Sequence, residues 1–492
     1  MKMVKSLLLG SAAGFMAVAG AQAADLPVKA KAVEYVKVCS LYGVGFYYIP
    51  GTDTCIKIGG YVRYDGYHNA AGFAYPTQGA GGNMNRFYNT WAQQARFRMT
   101  GDVRTQTEYG TLRAYFAFGV NFLNTANELG TSAANTTLAM ERAFIQFAGF
   151  TIGRADTFFA FYNGAAYGLV PTAFDGSSGP GGLNVFAYTW QFGNGLSASV
   201  SAEDQSNFGA PVIDLNQTTS GVGFQDDRQG QRMPNLVANL RVDQAWGSAQ
   251  IMGALHDVGG RYYNGGLGCP AGFSNSTGCA NPGNEIGWAV GAGLTLKMPW
   301  DAKDTLSGVI AYAEGASRYI AALQGNNFLH KQGIAMGQYT DGVFANPGQI
   351  AGYNGGIELT QVWGGSIAFE HYWTPSLRTS WVAGYMNVEY SDTAKALLAA
   401  NGCALANTFS GLSAMTNCNP DWSAYRLSSR TMWNPVANLD IGVEVAYSKV
   451  NTAYAGSANL TATTNGVAAS RYAIEDQDVW SAAIRVQRSF WP

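Results

Sequence analysis

The stretch "VWSAAIRVQRSF", Val479 to Phe490, places apolar side chains at Trp480, Ala482, Ile484, Val486 and Phe490. Ser481, Arg485, Gln487 and Ser489 lie between them, Ala483 is small enough for either face, and Arg488 is the one charge at an apolar position. Period-two alternation over about ten residues marks a strand with one apolar and one polar face. In a soluble sandwich the apolar face packs inward; in a membrane barrel it faces lipid and the polar face lines water. The pattern recurs. Gln94, Arg96, Arg98 and Thr100 oppose Ala95, Phe97 and Met99; Arg113 opposes Leu112, Ala114, Phe116 and Phe118. Asn239, Arg241 and Asp243 oppose Ala238, Leu240 and Val242, and Asp440 and Glu444 oppose Ile441, Val443, Val445 and Tyr447.

About sixteen such windows begin near Ile56, Trp91, Glu108, Leu138, Thr151, Leu183, Gly195, Pro234, Trp246, Glu285, Lys303, Glu358, Pro375, Trp422, Pro435 and Arg471. Their connections alternate between short and long. Gly149-Phe150, Gly193-Asn194-Gly195, Gln244-Ala245, "PWDA" at 299–302, Thr374-Pro375 and Asn434-Pro435 carry turn chemistry. The long connections lie near 69–89, 120–137, 158–182, 205–232, 257–284, 314–357, 391–421 and 450–470. Short turns at one rim and long loops at the other are the layout of an outer-membrane barrel.

Composition agrees. Charged residues are 13% of the 492, aromatics 13%, and there are 62 glycines. After the N-terminal leader, no run reaches the ~20 apolar residues of a spanning helix. A secreted β-solenoid suits the same composition but needs a sustained short repeat, and the chain has none. Closing the sheet removes its edges, as lipid requires. The expected fold is therefore all-β: a transmembrane antiparallel β-barrel of about sixteen strands, with short periplasmic turns and long extracellular loops. Trp300, Trp373, Trp422, Trp433 and Tyr447 near strand ends would form its interfacial girdle. A formal net charge of −2 gives no reason to expect nucleic acid.

Lys2, Lys5, the apolar run through Ala19 and Ala21-Gln22-Ala23 read as a signal peptide over 1–23, cleaved after Ala23. A segment at 24–55 and a barrel at 56–492 then follow. The six cysteines fall into local pairs: Cys39 with Cys55, Cys269 with Cys279, Cys403 with Cys418. An even count in an exported chain argues for disulfides; fifteen connectivities are open, and local pairing closes the smallest loops. There is no CxxC pair for zinc, and no metal or other cofactor is expected.

The segment "VEYVKVCSLYGVGFYYIPGTDTCIKIGGYVRYD", Val33 to Asp65, resembles the N-terminal hallmark of the alphaproteobacterial general porins, in Tyr35, the Cys39–Cys55 spacing, the "FYYIPGTDTC" run and "GGYVRYD". "ERAFIQFAGFTIGRADTFF", Glu141 to Phe159, and the C-terminal "QRSF" are similar to the same family. The resemblance implies a trimeric barrel of sixteen strands in the bacterial outer membrane that passes small hydrophilic solutes. Such barrels commonly end on an aromatic residue read by the insertion machinery. Here Phe490 is followed by Trp491 and Pro492.

In such a pore the connection at 158–182 would fold inward. It carries Asp175, and Asp156 lies just before it. Arg63, Arg96, Arg98 and Arg113 have lumen parity, and Arg142 is a further candidate. Arginines across from an acidic loop would create a transverse field that sorts ions. A competing reading has these arginines pair with Asp65 and other acids merely to keep a polar wall wet. Enzyme readings fare poorly: His68, His256, His330 and His371 share no metal spacing, and no GxSxG elbow or P-loop appears. For an outer-membrane lipase His371 is the nearest candidate. The rivals to an open pore are a surface adhesin or structural barrel with a blocked lumen, and a substrate-specific channel. The segment 24–55 is expected on the periplasmic side, held by Cys39–Cys55, with entry into the lumen as the alternative.

Overall fold

The computed structural model describes residues 38–69, 90–124, 134–162, 166–169, 174, 176, 181–204, 209–216, 226–264, 269–273, 276–321, 328–330, 333–401, 403, 414–460 and 468–490. The leader at 1–23, Asp175 and Trp491 lie outside these. Sixteen antiparallel strands form the wall. They are β1 (Cys55–His68), β2 (Trp91–Thr107), β3 (Gly110–Asn124), β4 (Ala134–Phe147), β5 (Phe150–Ala155), β6 (Leu183–Gly193), β7 (Leu196–Glu203) and β8 (Asn235–Gln244). The second half comprises β9 (Gly247–Gly259), β10 (Asn284–Lys297), β11 (Thr305–Glu314), β12 (Glu358–Thr374), β13 (Leu377–Tyr390), β14 (Trp422–Trp433), β15 (Leu439–Asn451) and β16 (Gln477–Phe490). Each strand pairs with the next, and β16 pairs with β1 from Gly60↔Phe490 to His68↔Ala482, which closes the barrel.

The alternation has the orientation lipid demands. Val62, Phe97, Phe116, Ile152, Phe186, Ile251, Ile310, Ile367, Leu427, Val443, Trp480 and Ile484 are all exposed on the outer surface. Left in water this band would cost about 25 cal/mol per Å², so it needs an apolar solvent. Arg488, the charge at an apolar position, sits at the short-turn rim. There it donates to the carbonyls of Ala437, Asn438 and Ser489, so the exception lies where water and turn carbonyls meet. Trp300, Trp373 and Trp433 are exposed on this rim, and Tyr447 packs on Trp480 at 5.0 Å on the outer wall. Trp422 departs from the girdle expectation. It is buried inside, its indole N–H donating to the Gln338 carbonyl at 2.8 Å, because the apolar partner at that strand end is a loop, not lipid.

Short turns close one rim. Asn194 and Gly195 both have positive φ, 50° and 74°, as a two-residue hairpin turn requires. At that rim residues 38–54 fold back on β1. Tyr47–Tyr48 pairs with Ile56 and Cys55, and a Cys39–Cys55 disulfide closes a small core with Phe46. The other disulfides, Cys269–Cys279 and Cys403–Cys418, staple two of the long loops.

The long loops do not simply extend outward. Inward-facing residues near the long-loop ends of β8 to β15 are apolar, among them Val237, Ala313, Val362, Met386, Val388, Ala424 and Val450. Against them pack Ile213 and Leu215, Tyr319 and Ile320, Ile334, Met336 and Tyr339, Leu397 and Leu398 of helix α1 (Asp392–Ala400), and Ile474. Asp341 is fully buried at the centre of this core. It accepts from the Ala210 and Ser317 backbone N–H groups at 2.6 and 2.8 Å and from the Ser317 hydroxyl at 2.7 Å. One side of the lumen is thus dry at the loop end. Inward positions on β16 and β1 to β4 remain mostly polar.

Candidate functional site

The charged residues of the inner wall come from strands whose alternate, apolar side chains point outward, so parity alone delivers them inward. They group around shared carboxylates. Asp65 on β1 pairs with Arg63 at 2.7 Å and with Arg485 of β16 at 2.6 Å. Asp102 on β2 pairs with Arg104 at 2.7 Å and with Arg113 of β3 at 2.9 Å. Glu141 on β4 pairs with Arg98 at 2.7 Å and also with Arg96. Arg96 further donates to Tyr61 Oη at 3.0 Å and Asn121 Oδ1 at 2.8 Å. Glu370 on β12 pairs with Arg430 of β14 at 2.6 Å and lies 3.6 Å from Arg378. Arg113 reaches Gln146 Oε1 at 2.8 Å.

Glu141 and Arg142 are adjacent in sequence, yet both face the interior. The pairing of β3 with β4 slips between Ala117↔Arg142 and Phe118↔Met140, a bulge that leaves Glu141 as the extra residue. Leu138 and Met140 before it, and Ile145 after it, stay exposed on the outside. Arg142 pairs with Asp156 at the root of the third long loop and donates to the Glu141 carbonyl at 2.6 Å.

That loop, 156–182, crosses the interior in its described part. Glu203 at the end of β7 caps its root, accepting from Thr157 Oγ1 at 2.6 Å and the Phe158 N–H at 2.8 Å. Asn239 donates to the Phe158 carbonyl at 2.6 Å. Tyr162 Oη meets Ser366 Oγ at 2.6 Å and Tyr167 Oη meets Ser307 Oγ at 2.7 Å. The tip is latched by its backbone: Arg430 donates to Ala166 O at 2.8 Å, Ser380 to Tyr167 O at 2.6 Å, and Arg485 to Leu169 O at 3.4 Å. The Leu169 N–H donates to Glu444. Gly293 on β10 makes room for Phe161: a Cβ there would lie 2.2 Å from Phe161 Cγ.

Of the residues singled out from sequence, Arg63, Arg96, Arg98, Arg113, Arg142 and Asp156 therefore share one inner wall. Missing from that selection were Asp102, Arg104, Glu141, Glu370, Arg430 and Arg485. All but Glu141 carry the same two-residue parity as the residues chosen. His371 lies on the outer rim beside Trp373, its Nδ1 2.6 Å from Asp304 Oδ2. Among the described residues no His, Cys, Asp and Glu group has the makings of a metal site.

Residues 25–483 match the family described as "Porin subfamily". The chain is 35% identical over 258 residues to the porin Omp2b of Brucella suis, a match covering 50% of this chain and 64% of that protein's length. It is 32% identical over 260 residues to the porin Omp2a of Brucella ovis, covering 50% of this chain and 68% of that protein. Among solved structures it resembles the outer membrane channel DcaP of Acinetobacter baumannii, with a TM-score of 0.54 and 15% identity across 90% of this chain and 99% of that one. At that identity the likeness concerns the fold alone.

Proposed function

We propose, because this chain belongs to the porin subfamily, that it forms a water-filled channel in the bacterial outer membrane through which small hydrophilic solutes and ions diffuse passively. The observation that carries this reading is the closed barrel with an apolar exterior, a charged inner wall and a loop latched across its interior. Family membership points to a channel rather than an enzyme. In this reading Arg63, Arg96, Arg98, Arg113, Arg142 and Asp156 line the selective passage, and Asp175 belongs to the same loop. The Cys39–Cys55 segment sits at the periplasmic mouth, and residues 1–23 are a cleaved leader. A homotrimer and insertion through the β16 strand are extensions of the family resemblance; light scattering of the folded protein in detergent tests the first.

A second reading, a barrel with a blocked lumen whose loops do the work, draws on the dry core between the long loops and β8 to β15. Single-channel recording in a planar bilayer separates the two. Discrete conductance steps from folded protein are expected for the pore; folded protein without conductance would leave the blocked barrel.

A further inference from the structure

The inner wall uses its acids sparingly. Asp65, Asp102 and Glu141 each serve two arginines, so each trio carries one positive charge in excess. The carboxylate is also the more buried member. The Asp65 side chain is 0% exposed against 15% and 14% for its arginines, and that of Asp102 is 13% against 27% and 25%. A guanidinium has five N–H donors, and pairing with one shared carboxylate leaves some of them for water or a solute. Asp156, Asp226, Asp243 and Asp476 are more exposed than the cations they pair with, and Glu370 is more exposed than Arg430, but each of these acids has a cation against it. The aromatic rings nearby are already covered by cations: Arg63 lies 5.2 Å from the Tyr61 ring, Arg104 4.9 Å from Phe46, and Arg113 5.1 Å from Tyr115. The rings of Tyr61 and Tyr115 are thus covered, and the arginine side chains of this wall stay partly exposed, up to 27% at Arg98.

We infer that the channel prefers anions, and that among organic solutes it favours small carboxylates, whose two oxygens match the guanidinium fork. This rests on the pore reading above and adds the sign and chemistry of its filter. The positive excess raises the local anion concentration along the passage, as rings of arginine do in anion pores.

The test is the zero-current potential of the purified mature protein in a planar bilayer under a potassium chloride gradient, repeated with potassium acetate. The expected sign is that of an anion-preferring pore in both salts. Arg98→Gln should lower the anion-to-cation permeability ratio about twofold, the effect of one unit charge about 10 Å from the ion path once salt of about 0.1 M screens it. Glu141→Gln should raise the ratio by a similar factor. Opposite shifts from two neighbouring variants cannot both come from misfolding. Conducting channels with a cation-preferring or neutral potential would overturn the inference and leave the pore. An anionic sign in chloride that disappears in acetate would overturn the carboxylate assignment. Folded protein that never conducts would overturn the pore reading and the inference with it.

Discussion

Asp214 lies in the loop core, where its carboxylate accepts from the Asn216 and Asn264 backbone N–H groups, both at 2.9 Å. Burial, opposed by those two bonds and reinforced by the Asp227 charge, pushes its carboxyl up to about 6. The folded loops therefore hold this proton more tightly than the unfolded chain does. Their packing is strongest at low pH and loosens as pH rises from about 4 through 6, by up to about 3 kcal/mol. Amide protection factors over 209–216 and 260–264 should fall across that window, and Asp214→Asn should flatten the dependence. A pH-independent profile in the unsubstituted protein would refute this. Asp304 behaves in the opposite sense. Burial alone would raise its carboxyl, but hydrogen bonds from the Tyr372 N–H, His371 and the Trp300 indole hold it below the usual range. Asp304→Ala removes a carboxylate with three partners and should cost about 1–3 kcal/mol, read as a lower temperature for loss of the folded band on a detergent gel. At this scale parity made much of the inner wall legible, since Arg63 with its acid Asp65, and Arg96 with Arg98 on the next strand, each follow the alternation. It could not yield Glu141 together with Arg142, because a bulge puts two consecutive side chains on one face and leaves no local mark.

The inward loop is held as a strap rather than packed as a domain. Its root hangs on Glu203, its middle on Tyr162 and Tyr167, and its tip on backbone carbonyls. Side chains from β13 to β16 supply the tip's anchors, so the loop bridges strands far apart in sequence. Ser380→Ala combined with Arg430→Ala removes two of them. At about 1–3 kcal/mol for each buried bond lost, the detached tip should become populated and appear as added noise in the open-channel current. Gly293→Val should give the same noise by a different route, since its side chain occupies the place of Phe161. Quiet channels from both variants would show that the latch does not hold the loop. The loop's position between two strands was readable from its length and its glycines; the anchors of its tip were not, because they pair residues more than two hundred positions apart. A similar limit applies at the last window, set to begin at Arg471. Ser470–Ile474 does alternate, but it pairs with the loop strand Ala455–Leu460, and the barrel strand starts at Gln477. Alternation announces a strand without naming its partner.

For the molecule as a whole, the barrel and its loops divide the lumen unevenly. The connection lengths foretold two unlike rims, but nothing periodic in the loops announced that Ile334, Met336, Tyr339 and Val343 would bury themselves against the apolar inner ends of β8 to β15. Loop residues have no repeat to betray which wall they meet; only the closed barrel brings them to it. With that side filled by the loop core, the pore reading leaves water and solutes the side of β16 and β1 to β4, where three of the four shared carboxylates, Asp65, Asp102 and Glu141, stand. The path should therefore be eccentric. No free cysteine is present among the described residues, so single cysteines can map it. Asn121→Cys, on the polar side, should react quickly with a sulfonated maleimide and lose conductance as the label enters the passage. Val362→Cys, fully buried under the loop core, should react at least about a hundredfold more slowly, since labelling there waits on local opening of the core. Comparable rates at the two positions would mean that the loop core opens freely to water and that the passage is central.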